Sequence, residues 1–293
     1  MPLKDWLAAM IVITAWGVNF VVIKWGLTEI PPLLLGALRF VCVAFPAVFF
    51  IKRPALPWKT VVGYAATICI GQFVFLFTAL YVGMPAGLAS LILQAQAFFT
   101  VLLAALFMGE QVLRHNVLGM SIAIGGLVLI GLGAQAGSVP VLGFSLTLLA
   151  AISWAAGNLV VKAAGKTDMV SLVVWGALIP PIPFFALSWM LEGPAAIQHS
   201  LANISYIGVL VVAYLALVAT IVGYVLWGRL LSKHPVSKVA PLSLLVPVIG
   251  LISSAWFLDE HLALVQWLGA LVVMVGLAVN VFGQGLLTRL ARA

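Results

Sequence analysis

Charge is what this sequence has least of. Only 7% of its 293 residues are Asp, Glu, Lys or Arg, against roughly 25% in a soluble domain, while 65% are hydrophobic. Too few charged groups exist to cover a globule of this size, so lipid must solvate much of it. No polar stretch is long enough to form a separate soluble domain. Cysteine is scarce as well. Cys42 and Cys69 lie in apolar runs at a spacing that fits neither a metal site nor a redox pair, and they read as small buried core residues. Carboxylates are missing from the places where chemistry would need them. Asp5, Glu29, Glu110, Asp168, Glu192, Asp259 and Glu260 fall at the edges of apolar runs, as do His115, His199, His234 and His261. An intramembrane hydrolase needs an acid, base or nucleophile pair within its spans. None is available, and no GxSxG, HExxH or Walker-type loop occurs, which argues against an enzyme and leaves no cofactor or metal motif.

What is present is apolar helix. Crossing about 30 Å of hydrocarbon takes about 20 apolar residues. Ten stretches qualify: 6–28, 33–51, 60–82, 86–108, 115–134, 140–163, 170–191, 204–231, 236–258 and 263–284. Pro31-Pro32, Pro54, Pro57, Pro85, Pro140, Pro194 and Pro235 mark the boundaries, where a missing N–H costs little. The first run is longer than the apolar region of a signal peptide and is read as a span. The linkers are short, so the spans form one bundle.

The net charge of +7 does not indicate nucleic acid, because the basic residues make no stripe interleaved with aromatics. They report topology instead. With the N-terminus inside, the cytoplasmic segments carry Lys4, then Lys52, Arg53 and Lys59, then Arg114, then Lys162 and Lys166. Arg229, Lys233 and Lys238 follow, and finally Arg289 and Arg292. Lys24 stands at the outer end of span 1 and Arg39 inside span 2. This bias predicts that both termini are cytoplasmic.

A shift of 150 residues places Pro85 on Pro235, Glu110 on Glu260 and Tyr64 on Tyr214. It also places Gly119, Gly126 and Gly133 on Gly269, Gly276 and Gly283, two stripes with a seven-residue period. Ala15-Trp16-Gly17-Val18-Asn19 echoes Ser153-Trp154-Ala155-Ala156-Gly157-Asn158 with one residue of slip. The chain is thus expected to be an all-α membrane protein of two five-helix repeats, 1–136 and 137–293. An odd number of spans per repeat inserts the second upside down, the inverted architecture of alternating-access transporters. The glycine stripes predict close helix packing in spans 5 and 10 rather than a ligand role.

These residues resemble the drug/metabolite transporter superfamily, and within it the EamA-type exporters of amino acids and related metabolites. The likeness rests on Ala15 to Phe20, Leu38-Arg39-Phe40, Gly83-Met84-Pro85-Ala86-Gly87-Leu88-Ala89 and Gly109-Glu110. In the second half it rests on Ser153-Trp154 to Asn158, Ala240-Pro241-Leu242-Ser243-Leu244-Leu245-Val246-Pro247 and Asp259-Glu260. It implies ten helices in a cell (inner) membrane, termini inside, a central cavity between the halves and export of a small-molecule substrate. Spans 3, 4, 8 and 9 are then the expected movers.

Polar groups at membrane depth mark the candidate site. Trp16 and Asn19 share a face of span 1, and Trp154 and Asn158 share a face of span 6. Each Asn offers amide groups to a zwitterion, or knits helices by hydrogen bonds; both roles can hold at once. In span 4, Gln94 shares a face with Ser90 and Phe98. Gln94 and Gln96 are two apart, so only one is expected to face the cavity, and Gln94 with Gln72 of span 3 is preferred. Pro247 in span 9 removes the bond to the Ser243 carbonyl and has Ala97 as its counterpart in span 4, so span 9 is the expected hinge with Ser243 usable for binding. The Pro180-Pro181-Ile182-Pro183 run of span 7 is read as a kink that sets shape only. Arg39 lies roughly 10 Å from the end of its span at 1.5 Å per residue. Two readings stand for it: partner to a substrate carboxylate, or a snorkelling group that bonds loop carbonyls. Lys24 and Lys162 sit near enough to helix ends to snorkel.

The expected function is export of small metabolites, amino acids first. A sugar-nucleotide or organophosphate carrier of the same superfamily is the alternative, although Arg39 with Lys24 is a thin basic cluster for phosphates. A receptor or scaffold would not predict an inverted repeat. With no carboxylate at membrane depth, the choice between facilitated and proton-coupled transport stays open.

Overall fold

The structure is a computed structural model that describes residues 1–135, 139–165, 167–234 and 236–290. Lys166, Pro235 and Arg292, used above for topology and repeat, and the 136/137 boundary between the halves lie outside the described residues. Among the described residues the chain is all helix, without strands. Nine helices are long and apolar enough to cross a membrane: α1 (Leu3–Gly26), α2 (Pro32–Phe49), α3 (Trp58–Tyr81), α4 (Ala86–Met108), α5 (Arg114–Gln135), α6 (Val141–Ala164), α7 (Met169–Glu192), α8 (Tyr206–Lys233) and α10 (Leu264–Leu290). The tenth apolar run is shorter because its first part is broken. Val236–Val239 is helical, Ala240–Leu244 is a 3₁₀ turn, and α9 proper is Leu245–Phe257. A connecting helix, Pro194–Ala202, links α7 to α8.

Helices in lipid gain little from apolar burial against one another, so close backbone approach and polar ties decide their packing. The clearest case is α5 against α10, which run antiparallel. A Cβ on Gly119 would lie 2.7 Å from the Gly276 carbonyl oxygen, and one on Gly126 2.7 Å from that of Gly269. The Asn116 amide donates to Asn280 Oδ1 at 2.7 Å across the same seam. The stripes are therefore a packing device.

Helix ends buried in the bundle need partners for their free N–H groups. Carboxylates from distant loops supply them and oppose the positive end of the helix dipole. Glu192 accepts from Leu33 N (2.6 Å) and Leu34 N (3.2 Å) at the start of α2. Glu260 accepts from Ala86 N (2.7 Å) and Gly87 N (3.2 Å) at the start of α4. Glu29 accepts from Ser205 N and Oγ ahead of α8, while Ser205 Oγ itself accepts from Ile207 N and Gly208 N. Three of the membrane-edge acids, Glu29, Glu192 and Glu260, thus serve helix starts.

Four helices depart from α geometry in places that matter for the cavity. Ala65–Gly71 of α3 and Tyr214–Val222 of α8 are π-helical. Leu93–Ala95 of α4 is a 3₁₀ turn, as is Ala240–Leu244 ahead of α9. The geometric break of span 9 therefore does not fall at the expected hinge residue. Pro247 sits in the first turn of α9, where a missing N–H breaks no helical bond. The break lies in the 3₁₀ segment before it, and α4 carries a comparable break with no proline at all. Proline in α7 acts as expected, separating Met169–Gly176 from Pro181–Leu187.

Candidate functional site

A cavity of about 460 Å³ lies between the helices, lined from α1, α2, α3, α4, α6, α7, α8 and the α9 region. From α1 come Trp16, Asn19 and Phe20, and from α6 Trp154, Asn158 and Val161, both at i, i+3/i+4 helical spacing. Tyr64, Ile68, Gln72 and Leu76 form a four-residue-spaced stripe on α3, with Phe73 beside it. Tyr224, Trp227, Gly228 and Leu231 form the corresponding face of α8. Ser90, Leu93, Gln94 and Gln96 of α4 and Ser243 and Val246 before and within α9 complete the wall, and Arg39 is the contribution of α2. No Asp or Glu is in the lining.

At one end the lining reaches the last turns of α6 and α8 and Met169 at the start of α7. That end also carries the N-terminus, since Asp5 of α1 meets His234 Nε2 at 2.7 Å and Lys233 at 3.9 Å. At the other end, α4 and α9 close the bundle. A Cβ on Gly87 would meet Ser254 Oγ at 2.4 Å and Leu251 Cα at 3.1 Å, and one on Gly250 would meet Ser90 Oγ at 2.3 Å. Gly17 of α1 joins this seal, with Ile249 where its Cβ would be.

The polar side chains are positioned by specific ties. Trp16 donates from Nε1 to the Ala219 carbonyl at 2.9 Å, a group inside the π segment of α8, and its ring meets Tyr224 and Trp227 at 5.7 and 5.4 Å between centroids. Gly223 leaves room for that ring. The Asn158 amide donates to Gln96 Oε1 (2.8 Å) and to Thr100 Oγ1 (3.0 Å), tying α6 to α4. Ser153 donates to the Thr67 carbonyl at 2.8 Å, so the π segment of α3 has a side-chain partner from α6. Asn19 is 9% exposed and its Oδ1 has no hydrogen-bond partner.

Arg39 is 4% exposed and does not snorkel. Its Nη2 donates to Thr220 Oγ1 at 2.9 Å, and the Thr220 hydroxyl in turn donates a hydrogen bond to the Leu215 carbonyl within the π segment of α8. The guanidinium carbon lies 4.1 Å from the Phe73 ring centroid and 5.7 Å from that of Phe40. Lys24 and Lys162, by contrast, are engaged at the two ends of the bundle. Lys24 donates to the Met84 carbonyl (2.8 Å) and lies 3.8 Å from Glu260; Lys162 pairs with Glu110 at 2.5 Å.

Of the residues singled out from sequence, Trp16, Asn19, Arg39, Gln72, Ser90, Gln94, Trp154, Asn158 and Ser243 line this cavity. Phe98 does not: it is buried in the helix packing, off the lining. Gln96 lines the cavity together with Gln94, against the expectation that only one would. The 3₁₀ turn explains it: residues two apart sit about 160° apart around an α-helix but only about 120° apart around a 3₁₀-helix. Tyr64, Phe73, Tyr224 and Trp227 were not singled out, although Tyr224, Trp227 and Leu231 share one helical face legible at i, i+3, i+7. Tyr214, the counterpart of Tyr64, instead donates its hydroxyl to the Ala15 carbonyl at 2.7 Å, outside the lining.

Comparison with known proteins identifies the family. The chain matches the EamA-like transporter family twice, over residues 4–132 and 141–282. It is 52% identical over 288 residues to a probable amino-acid metabolite efflux pump of Escherichia coli (strain K12), covering 97% of this chain and 96% of that one. It is 50% identical, with the same coverage, to a protein of that description in Salmonella typhimurium (strain LT2). An uncharacterized inner membrane transporter, YedA, of Escherichia coli is 24% identical. A solved crystal structure covers 100% of both chains with a TM-score of 0.65 at 20% identity, a likeness of fold alone. The chain is a multi-pass membrane protein and belongs to the EamA-like transporter family.

Proposed function

We propose that this protein exports amino acids or closely related metabolites by alternating access through the central cavity. The observation that carries the reading is the wall of that cavity, which combines amide and hydroxyl groups with tryptophan and tyrosine and has no carboxylate. Such a wall suits a small neutral or zwitterionic solute, with apolar faces for its side chain and a few polar groups to orient it. The curated relatives above half identity carry the same description, amino-acid metabolite efflux. The phosphate-carrier alternative is disfavoured by charge: among the described residues Arg39 is the single fixed cation in the lining, and Lys24 is held by Glu260 and Met84.

The proposed architecture is ten crossings in two inverted halves, split near residues 136 and 137, with both termini cytoplasmic. Several paired features support it at an offset near 150. The π segments of α3 and α8 correspond, as do the 3₁₀ turns at 93–95 and 240–244. Gly109 and Asp259 both have left-handed backbone, with φ of 66° and 53°. Gly119 meets Gly276 and Gly126 meets Gly269, the reciprocal contact that a twofold axis between antiparallel equivalents requires. With the termini inside, the mouth near Met169 and Leu231 faces the cytoplasm and the α4–α9 seal faces outward, so solute enters from the cell interior.

The test is counterflow in proteoliposomes with a panel of radiolabelled amino acids and a sugar nucleotide as control. Exchange of amino acids without exchange of the nucleotide is expected; the reverse would reject the assignment.

A further inference from the structure

We propose that Arg39 is the carboxylate-binding residue of the cavity, so that the transported solutes are those bearing a free carboxylate. This rests on the reading of the cavity as the substrate site and narrows its substrate class. Arg39 is 96% buried by its 4% exposure, lines the cavity, and has one polar partner, the neutral hydroxyl of Thr220. Its Nε and Nη1 have no hydrogen-bond partner. The faces of Phe73 and Phe40 attract the cation but accept no hydrogen bonds from the edges of the guanidinium plane. No Asp or Glu stands in the lining to neutralise it.

A buried guanidinium without a counter-charge is among the costlier arrangements a protein can keep. Where a cation of this bundle has only to be accommodated, the chain supplies a carboxylate, as at Lys24 with Glu260 and Lys162 with Glu110. Arg39 is treated differently. Its position is fixed by the Thr220 hydroxyl and the two rings, while its enclosed Nε and Nη1 meet no hydrogen-bond acceptor among the described residues. An edge of the guanidinium, Nε or Nη1 together with the second N–H of Nη2, matches the geometry of a carboxylate or a phosphate, and a single cation balances the one negative charge of a carboxylate. Because no fixed anion faces the cavity, the ammonium of an amino acid has only neutral acceptors and aromatic faces to meet. Carboxylate is therefore the required group and ammonium the dispensable one. Amino acids and their N-acylated derivatives fit this site; amides and esters, which keep the positive charge and lose the negative one, do not.

The experiment is competition against counterflow of radiolabelled L-valine by unlabelled L-valine, N-acetyl-L-valine and L-valinamide. For the wild-type protein the two acids are expected to compete and valinamide to be weaker by about tenfold or more, the scale of a lost charge-assisted hydrogen bond. In Arg39→Gln at matched insertion, valine should weaken by about tenfold or more and the acid-over-amide preference should disappear. Arg39→Lys should retain the preference at reduced affinity, since it keeps charge and loses the fork. Wild-type protein that moves valine but is inhibited equally by valinamide would overturn the Arg39 assignment and leave amino-acid export standing. So would Arg39→Gln or Arg39→Lys protein with, respectively, unchanged or abolished discrimination. If Arg39→Gln fails to insert, the wild-type series and Arg39→Lys decide. Absence of counterflow for every carboxylate in the amino-acid panel would overturn both readings.

Discussion

Two antiparallel helix pairs in this protein are built from similar small residues and do different work. In α5–α10 the glycines face carbonyl oxygens and backbone nitrogens of the opposite helix, with Gly119, Gly126, Gly269 and Gly276 all inside 3 Å of backbone for an added Cβ. In α4–α9 the glycines face mostly side chains, Ser90 Oγ and Ser254 Oγ first among them, and the seam occupies only the end of the bundle away from the N-terminus. Each helix of this second pair is also interrupted by a 3₁₀ turn. Backbone against backbone cannot yield, whereas a serine side chain can rotate. On the proposed alternating-access reading, the first pair would serve as scaffold and the second as the seal that opens.

A leucine at Gly126 should give the largest effect. Its side chain would meet the Gly269 carbonyl and Val273 N, each 2.7 Å from the added Cβ, and overpacking against unyielding backbone costs about 3 kcal/mol or more. The expected outcome is loss of folded protein on size-exclusion chromatography, while Gly125→Leu, beside which nothing lies within 4 Å, leaves it intact. Gly250→Leu should instead fold and fail to seal. Thermal midpoint in detergent near wild type, with counterflow down by about tenfold, is the signature of a conformational shift of about 1.4 kcal/mol. If Gly250→Leu lost as much stability as Gly126→Leu, the distinction between scaffold and seal would not hold.

The ion pairs at the two ends sharpen the same contrast. Glu260 is 13% exposed in its side chain, caps α4 through two N–H groups and approaches Lys24. Glu110 is 45% exposed and pairs with a half-exposed Lys162. Glu260→Gln is therefore expected to cost about 1.5–3 kcal/mol, the range for hydrogen bonds to a charged group. Glu110→Gln should cost less than about 1 kcal/mol after solvent screening. Thermal melts of the two variants side by side measure the gap, and equal losses would remove it. The smallest effect belongs to Pro247→Ala. With the proline in the first turn of α9, counterflow is expected to stay within about twofold of wild type, because the interior-helix cost of proline does not apply there. A large slowing of exchange would return the hinge to Pro247.

Much of this was legible before any coordinates. Apolar run length and the shortage of charge determine a bundle of membrane helices, because backbone in lipid must bond to itself and helices do so locally. The face of α1 at Trp16 and Asn19, that of α6 at Trp154 and Asn158, and Gln72, Ser90 and Gln94 could be chosen as cavity residues because polar groups stand out against apolar sequence. Three things were decided only in the tertiary structure. The π and 3₁₀ segments of α3, α4 and α8 have no proline to announce them; in α3 and α8 distant side chains, Ser153 and Trp16, take up carbonyls of the π segments. Tyr224, Trp227 and Leu231 share a face that their spacing shows, but the spacing does not say that this face meets the cavity rather than lipid. Finally, the role proposed for Arg39 rests on a hydroxyl 181 residues away and on the absence of any carboxylate from the lining among the described residues. A sequence reports that a charge lies within a span; only the packing of the other helices reports what that charge is left to bind.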